Sequence, residues 1–333
     1  MTNMSWIQGL EGVLSHTKNG RHEIVISPDV DGLLSAAVLA FHRPVHIIGA
    51  YTTTHLLLGK GITKRQAANA LWLDHDVSEP GVRCVGQHLV LLNETDSLPR
   101  REPVSFNPNI WFPQAWDKSF KGSSGKKRDK YPFGTAHFLA SALDLSARFT
   151  SPAQIALFAH ADGTWRTVVD YFANAAIWQS LMFANDPLIK TLMNDYQANP
   201  KHLEAHRQLV QLLLAAGIKS QPSRSPKAAL LPPELRELTG KQSIAGVPTA
   251  KPVEYFQRIG VVAQSIASIM GSHVTIAEPF GEIVSGNYHS LYPNRLPDGH
   301  DNFDSFMDSW EIFSHAFVDF RSLKVTNGIK LND

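Results

Sequence analysis

The chain is expected to fold as an α/β protein: a mostly parallel sheet flanked by helices, a helical connector, and a smaller C-terminal α+β domain. Three observations predict this. Short apolar, β-branched runs alternate with helix-like segments through the first half, the pattern of βαβ units. Residues 166–217 then carry apolar positions three and four apart, the helical period. A Pro/Ser-rich stretch over 221–252 precedes a last helix and strand. The expected divisions are therefore 1–165, 166–252 and 253–333.

The elements follow in order. Glu23–Ser27 is short and β-branched, so it reads as a buried strand that ends at Pro28-Asp29-Val30-Asp31-Gly32. Leu33–Phe41 reads as a helix and Val45–Tyr51 as a second strand. Thr63–Asn69 reads as a helix, Ala70–Leu73 as a third strand ending at Asp74, and Val82–Val85 as a fourth. Residues 97–130 read as a loop, 134–145 as a helix, and Ile155–Ala159 as a short strand before His160-Ala161-Asp162-Gly163. Val253–Met270 reads as an apolar helix and His315–Thr326 as strand. No repeat of fixed period is found.

Composition narrows the function classes. The chain has 333 residues, 43% of them apolar, which suits about two domains and argues against wholesale disorder. A net charge of +1 excludes a histone-like blanket of positive charge, but a local basic groove stays open. The single cysteine, Cys84, excludes an intrachain disulfide and a multi-cysteine zinc site, and fits a reducing compartment. No apolar run reaches the ~18–20 residues that span a bilayer. Residues 1–20 have neither a basic n-region nor an apolar h-region. A soluble, cytoplasmic protein without a membrane partner is the expectation.

The chemistry-bearing pattern is acidic groups after strand-like segments. Asp29 and Asp31 follow the first, Asp74-His75-Asp76 the third, Gly86-Gln87-His88 the fourth, and His160 with Asp162 the later one. In open parallel sheets, ligands bind beyond the carboxyl ends of strands. Oxygen and imidazole donors converging there suit Mn²⁺ or Mg²⁺, and two ions ~3.5–4 Å apart form a clamp for in-line displacement at phosphorus. The plain alternative is that Asp-x-Asp-Gly is an ordinary turn and Asp74 a helix cap.

These residues resemble the DHH phosphoesterase superfamily, closest to its RecJ-type branch. Asp29 and Asp31 match the first motif, Asp-x-Asp-Gly after a strand. Asp74 in LWLDHDVSEPG matches the second, and Asp162 the fourth. Phe106-Asn107-Pro108-Asn109 and Lys130-Tyr131-Pro132-Phe133-Gly134-Thr135 match two further segments. The likeness covers about the first half of the chain and implies a DHH-type domain. It implies two Mn²⁺-type ions on Asp29, Asp31, Asp74 and Asp162, with Asp74 bridging, and His88 near the metals or the scissile phosphate. Asp31, Asp74 and His88 would be catalytic; Asn107, Lys130, Tyr131, Gly134 and Thr135 would bind substrate. The implied activity is phosphodiester hydrolysis on single-stranded nucleic acid or short oligonucleotides.

The departures are specific. The Asp and first His of the signature third motif are Gly86 and Gln87, and the upstream His or Asp of relatives falls on Val25 or Ser27. Asp76 or His160 could compensate for the missing ligand. A Gly-Gly-Gly-His type loop is not found; Gly271-Ser272-His273, Ser285-Gly286-Asn287-Tyr288-His289 and Asp298-Gly299-His300 are weak stand-ins. A second expectation is therefore a catalytically weakened relative that binds a nucleotide or a protein partner, and a third is an enzyme for a small phosphate compound. The basic run Lys118–Lys130, with six Lys/Arg, reads as a solvated loop or a phosphate-binding flap. His202-Leu-Glu-Ala-His206 reads as an exposed helix face. The second half could carry substrate contacts or a homodimer interface.

Overall fold

The computed structural model describes residues 4–88, 105–112, 130–215, 219–220, 242–243, 252–279, 281–291, 305–306, 309–319 and 322–331. Most of the basic run and most of the Pro-rich stretch lie outside the described residues. The chain divides into two compact units that are discontinuous in sequence. One comprises residues 1–26, 46–131 and 277–333, the other 27–45 and 132–276. The three consecutive segments expected from composition do not coincide with this division.

The first unit is built on a mixed sheet, in keeping with the α/β class. Its strands are β1 (His22–Ile26), β2 (Val45–Tyr51), β3 (His55–Leu58), β4 (Leu71–Leu73), β5 (Arg83–Val85), β6 (Ser105–Phe106) and β10 (Ile283–Ser285), in the spatial order β10-β3-β2-β1-β4-β5-β6. β1, β4, β5 and β6 pair in parallel, with Val25 opposite Trp72 and Trp72 opposite Cys84. β3 is antiparallel to both β2 and β10. Ile24, Val25, Ile26, Leu71, Trp72 and Leu73 are all buried, as near-continuous apolar strands covered on both faces should be. Helix α1 (Met4–Leu14) seats Trp6 against Phe106, ring centroids 5.9 Å apart. Helix α3 (Lys64–Ala68) starts at a capping box: Thr63 Oγ1 accepts the Gln66 N–H, and Gln66 Oε1 accepts the Thr63 N–H. A short helix, α4 (Pro108–Trp111), follows β6.

The same unit holds a small antiparallel sheet of β11 (Asn287–Leu291), β13 (Ser322–Asn327) and β12 (Ile312–Asp319), in that order. The single strand expected over 315–326 is thus a hairpin. Phe313 of β12 joins Tyr51 and Trp72 in a buried aromatic cluster with edge-on contacts of 5.5–5.6 Å.

The second unit is mainly helical. Helix α2 (Val30–Leu39) is buried along its whole length, and apart from Asp31 and Ser35 its side chains are apolar. It packs against α5 (Thr135–Ala142), α6 (Pro152–His160) and α11 (Pro252–Met270). Helices α7 (Thr164–Asp170), α8 (Phe172–Met182), α9 (Pro187–Asn194) and α10 (Pro200–Ala215) complete it, with the short strands β7 (Lys219–Ser220), β8 (Gln242–Ser243) and β9 (Val274–Ile276). No described helix is long and apolar enough to cross a membrane.

One expected strand is corrected. Ile155–Ala159 lies within helix α6, so Asp162 follows a helix rather than a strand. Ser151 caps that helix in a capping box with Gln154, and Pro152 occupies its first turn. A short apolar run cannot by itself separate a buried helix from a buried strand, and here the cap decides.

Candidate active site

In the first unit the site is assembled from three strand ends. Beyond β4 the chain turns at Asp74, which takes the left-handed φ of 60°. Its backbone N–H donates to the Val85 carbonyl at 2.8 Å, tying the turn to β5. Asp74 is 2% exposed, and its Oδ1 lies 3.1 Å from His88 Nε2 beyond β5. The His88 side chain keeps 27% of its surface open, so this pair reaches solvent through the imidazole.

Asp76 has a different task. Its Oδ2 accepts the His88 backbone N–H at 2.9 Å and its Oδ1 accepts Asn107 Nδ2 at 2.9 Å. Asn107 Oδ1 accepts the Asn109 N–H at 2.9 Å, and Asn109 Nδ2 donates to the Gln87 carbonyl at 2.9 Å. Asn109 Oδ1 accepts the Tyr131 N–H at 2.7 Å. Buried amides and carboxylates therefore lace the ends of β4, β5 and β6 together, and each satisfied pair avoids the cost of a bare buried polar atom.

Further neighbours complete this rim. His75 is buried edge-on against Tyr51 and Trp72, with ring centroids 5.1 and 6.0 Å away. Burial pushes its imidazole down to about 3, opposed by the backbone at Ile26 and Tyr51. Burial likewise pushes the Tyr51 hydroxyl up to about 12, although it bonds Ser314 Oγ at 2.6 Å. Gly86 is required by close approach: an added Cβ would lie 2.4 Å from the His75 carbonyl oxygen and 2.8 Å from Asp76 Oδ2. Gln87 is fully buried.

In the second unit the Asp-x-Asp-Gly turn spends both carboxylates on helix N-termini. Asp29 Oδ1 accepts the Gly32 N–H at 2.9 Å as N-cap of α2, and its Oδ2 accepts from Ser27 Oγ at 2.8 Å. Asp31 is 2% exposed and caps a different helix. Its Oδ2 accepts the Thr135 N–H at 2.7 Å and its Oδ1 the Ala136 N–H at 3.0 Å, at the start of α5. The dipole of α5 favours a negative charge at that place. Gly134 makes the room, since a Cβ there would lie 2.6 Å from both Asp31 oxygens. The Tyr-Pro-Phe-Gly-Thr segment thus has a physical meaning: it presents a bare helix start to Asp31.

His137, which the sequence reading missed, closes this arrangement. Its Nδ1 accepts the Gly134 N–H at 3.0 Å, and burial pushes the ring down to about 4, with the charge of Asp162 opposing. Its signal was the third helical position after a glycine cap, where a side chain reaches back to the cap N–H. Asp162 is half-buried in a turn between α6 and α7, with φ of 48°, followed by Gly163 at 67°.

Each expected site residue can now be placed. Asp74, His88, Asn107, Lys130 and Tyr131 belong to the first unit; Asp29, Asp31, Gly134, Thr135 and Asp162 belong to the second. The structure brings Asp74 to His88 and Asp31 to Gly134 and Thr135. Asn107, Tyr131 and Thr135 are buried, and Lys130 is half-buried. Asp74 and His88 supply one oxygen and one imidazole nitrogen, donor chemistry that fits Mn²⁺. Among the described residues no group of three or more His, Cys, Asp or Glu is gathered so as to hold an ion.

The His202–His206 reading is corrected. His202 is 6% exposed and His206 is fully buried, so this is an inward face of α10. No family model matches the chain, and neither a curated protein nor a solved structure matches it.

Proposed function

We propose that the chain is a metal-dependent phosphoesterase of the DHH type, hydrolysing phosphodiester bonds in single-stranded nucleic acid or short oligonucleotides. The observation that carries this reading is the Asp74–His88 pair, 3.1 Å apart beyond the carboxyl ends of adjacent parallel strands. That is where open α/β sheets bind ligands. Mn²⁺, or Mg²⁺ in its place, is the cation the donor chemistry favours. Asp74 in the first unit, and Asp29, Asp31 and Asp162 in the second, are the carboxylates that the resemblance offers as ligands, Asp29 and Asp31 already accepting backbone N–H groups. When bound, such ions supply a water of lowered pKa and neutralise charge on phosphate oxygens.

The chain's own residues have defined parts. His88 Nε2 donates to Asp74 Oδ1 and the ring offers its open edge to a phosphate oxygen. Asp76 and Asn107 hold the His88 backbone in place, so the imidazole needs no reorganisation when substrate arrives. The test is hydrolysis of 5′-phosphorylated single strands, dinucleotides and cyclic dinucleotides with Mn²⁺. Turnover that disappears in Asp74→Asn, with folding retained, supports the reading. Turnover that persists in that variant overturns it.

One observation favours a second reading. The position where relatives carry the third-motif Asp is Gly86, and it has no space for a side chain. A backbone closed around that glycine suits a protein that binds a nucleotide or a partner with little or no turnover. Nucleotide or Mn²⁺ binding without hydrolysis of any substrate above would decide for it.

A further inference from the structure

The buried histidine of α10 stands outside the chemistry described so far, yet it touches both sides of the Asp162 turn. His206 Nε2 lies 3.2 Å from His160 Nδ1, at the last residue of α6. Its ring meets Trp165, near the start of α7, edge-on at 5.7 Å. His160 and Trp165 flank Ala161-Asp162-Gly163-Thr164 in the chain. On its other edge, His206 Nδ1 bonds the Tyr196 hydroxyl. Tyr196 is itself fully buried and stacked on His202 at 5.6 Å and 15°.

The turn needs such a hold. Asp162 and Gly163 are consecutive left-handed residues, at φ of 48° and 67°. For a non-glycine residue that conformation costs about 1–2 kcal/mol and persists only where the surroundings over-determine it. Thr164 Oγ1 donates to the Ala161 carbonyl at 2.8 Å, which closes the turn locally, and the turn packs against α2.

The string runs in one of two senses, set by the tautomer of His206. A neutral imidazole carries one N–H. With Tyr196 donating to His206 Nδ1, the His206 proton sits on Nε2 and is donated to His160 Nδ1. Burial keeps the tyrosine protonated and His206 neutral in either sense. Both hydrogen bonds therefore form together, and removing the hydroxyl frees the proton placement on His206.

We propose that His206 is a positioning residue: held by Tyr196 on one edge, it clamps His160 and Trp165 and so fixes the Asp162 turn in the geometry that presents its carboxylate. The part concerning the cation rests on the phosphoesterase reading; the part concerning the turn does not. Neither His206 nor Tyr196 touches substrate or the reacting atoms in this scheme.

The experiment uses the full chain and two variants. Tyr196→Phe keeps the ring and removes only the hydroxyl, while His206→Gln keeps a side chain able to bond at both ends. Hydrogen–deuterium exchange of the peptide covering 161–167 reads the turn without any metal. The expected result is about tenfold faster exchange in Tyr196→Phe, confined to that peptide, and partial recovery of protection in His206→Gln relative to His206→Ala. Unchanged exchange there overturns the proposal. So does a loosening spread evenly along α6 and α10, which marks a role in packing alone. Mn²⁺ binding, read by the free-ion paramagnetic resonance signal, adds the second arm. An affinity loss of about tenfold or more in Tyr196→Phe is expected, the size typical of residues that orient metal ligands. Wild-type protein that binds no Mn²⁺ overturns the phosphoesterase reading, and the exchange result still decides the clamp.

Discussion

Two acidic turns of similar sequence do different work in this molecule. Asp29-Val30-Asp31-Gly32 and Asp74-His75-Asp76 each place two carboxylates one residue apart. In the first, both carboxylates accept backbone N–H groups at helix starts, Asp29 for α2 and Asp31 for α5. In the second, Asp76 is consumed as a brace while Asp74 faces an imidazole that is open to solvent. Spacing alone therefore does not define a carboxylate's role; the donors brought to it by the fold do. The first turn is an architectural joint, and the second keeps an edge open to solvent.

The largest effect that sharpens this contrast is acid. Each unit buries one neutral imidazole beside its acidic turn, His75 pushed down to about 3 and His137 to about 4, both chiefly by burial. The ordinary value is near 6.5, so below it the unfolded chain binds protons that the folded chain refuses. Stability therefore falls as pH drops through that window. The slope is up to about 1.4 kcal/mol per pH unit for each ring. Denaturant titrations from pH 7 to pH 3 should show the fall, and His75→Phe and His137→Phe should each flatten it. Of these two rings, only His75 should still contribute between pH 4 and 3.

The next largest is Gly86→Asp, which forces a side chain into a place the packing leaves closed. The new Cβ collides with the His75 carbonyl, and the new carboxylate meets Asp76. A loss of about 3 kcal/mol is expected in urea titration, the range of overpacked buried sites. Asp31→Ala comes third. It strips two N–H groups at the start of α5 of their acceptor and should cost about 2 kcal/mol, with helix content reduced. Asp74→Asn is the smallest, within about 0.5 kcal/mol, because asparagine tolerates a left-handed backbone and keeps an oxygen toward His88. If Asp74→Asn destabilised as much as Asp31→Ala, the contrast between joint and open edge would fail.

Much of this was legible in the residues. β1, the acidic break and α2 follow from apolar patterning and turn chemistry, as do β2, α3, β4 and β5. The site's scaffold was legible only in part. Asn107 and Asn109 stood out as a motif, but their hydrogen bonds to Asp76 and Gln87 depend on strands that are distant in sequence. Helix α6 was misread because its apolar run is short and buried all round, leaving no polar face to reveal the period. The burial of His202 and His206 did leave a trace: 202, 206, 209 and 213 fall on one helical face, and Leu209 and Leu213 are buried there with them. What no local pattern carries is the interleaving of the two units, since that depends on which distant segments pack.

The account's central claim is that Asp74 and His88 form the reactive edge for a divalent cation. Anomalous scattering at the manganese edge from Mn²⁺-soaked crystals addresses it most directly. A peak in contact with Asp74 Oδ1 that vanishes in Asp74→Asn is the predicted result. Manganese bound elsewhere with no peak at Asp74, or no bound manganese at saturating concentration, would contradict it.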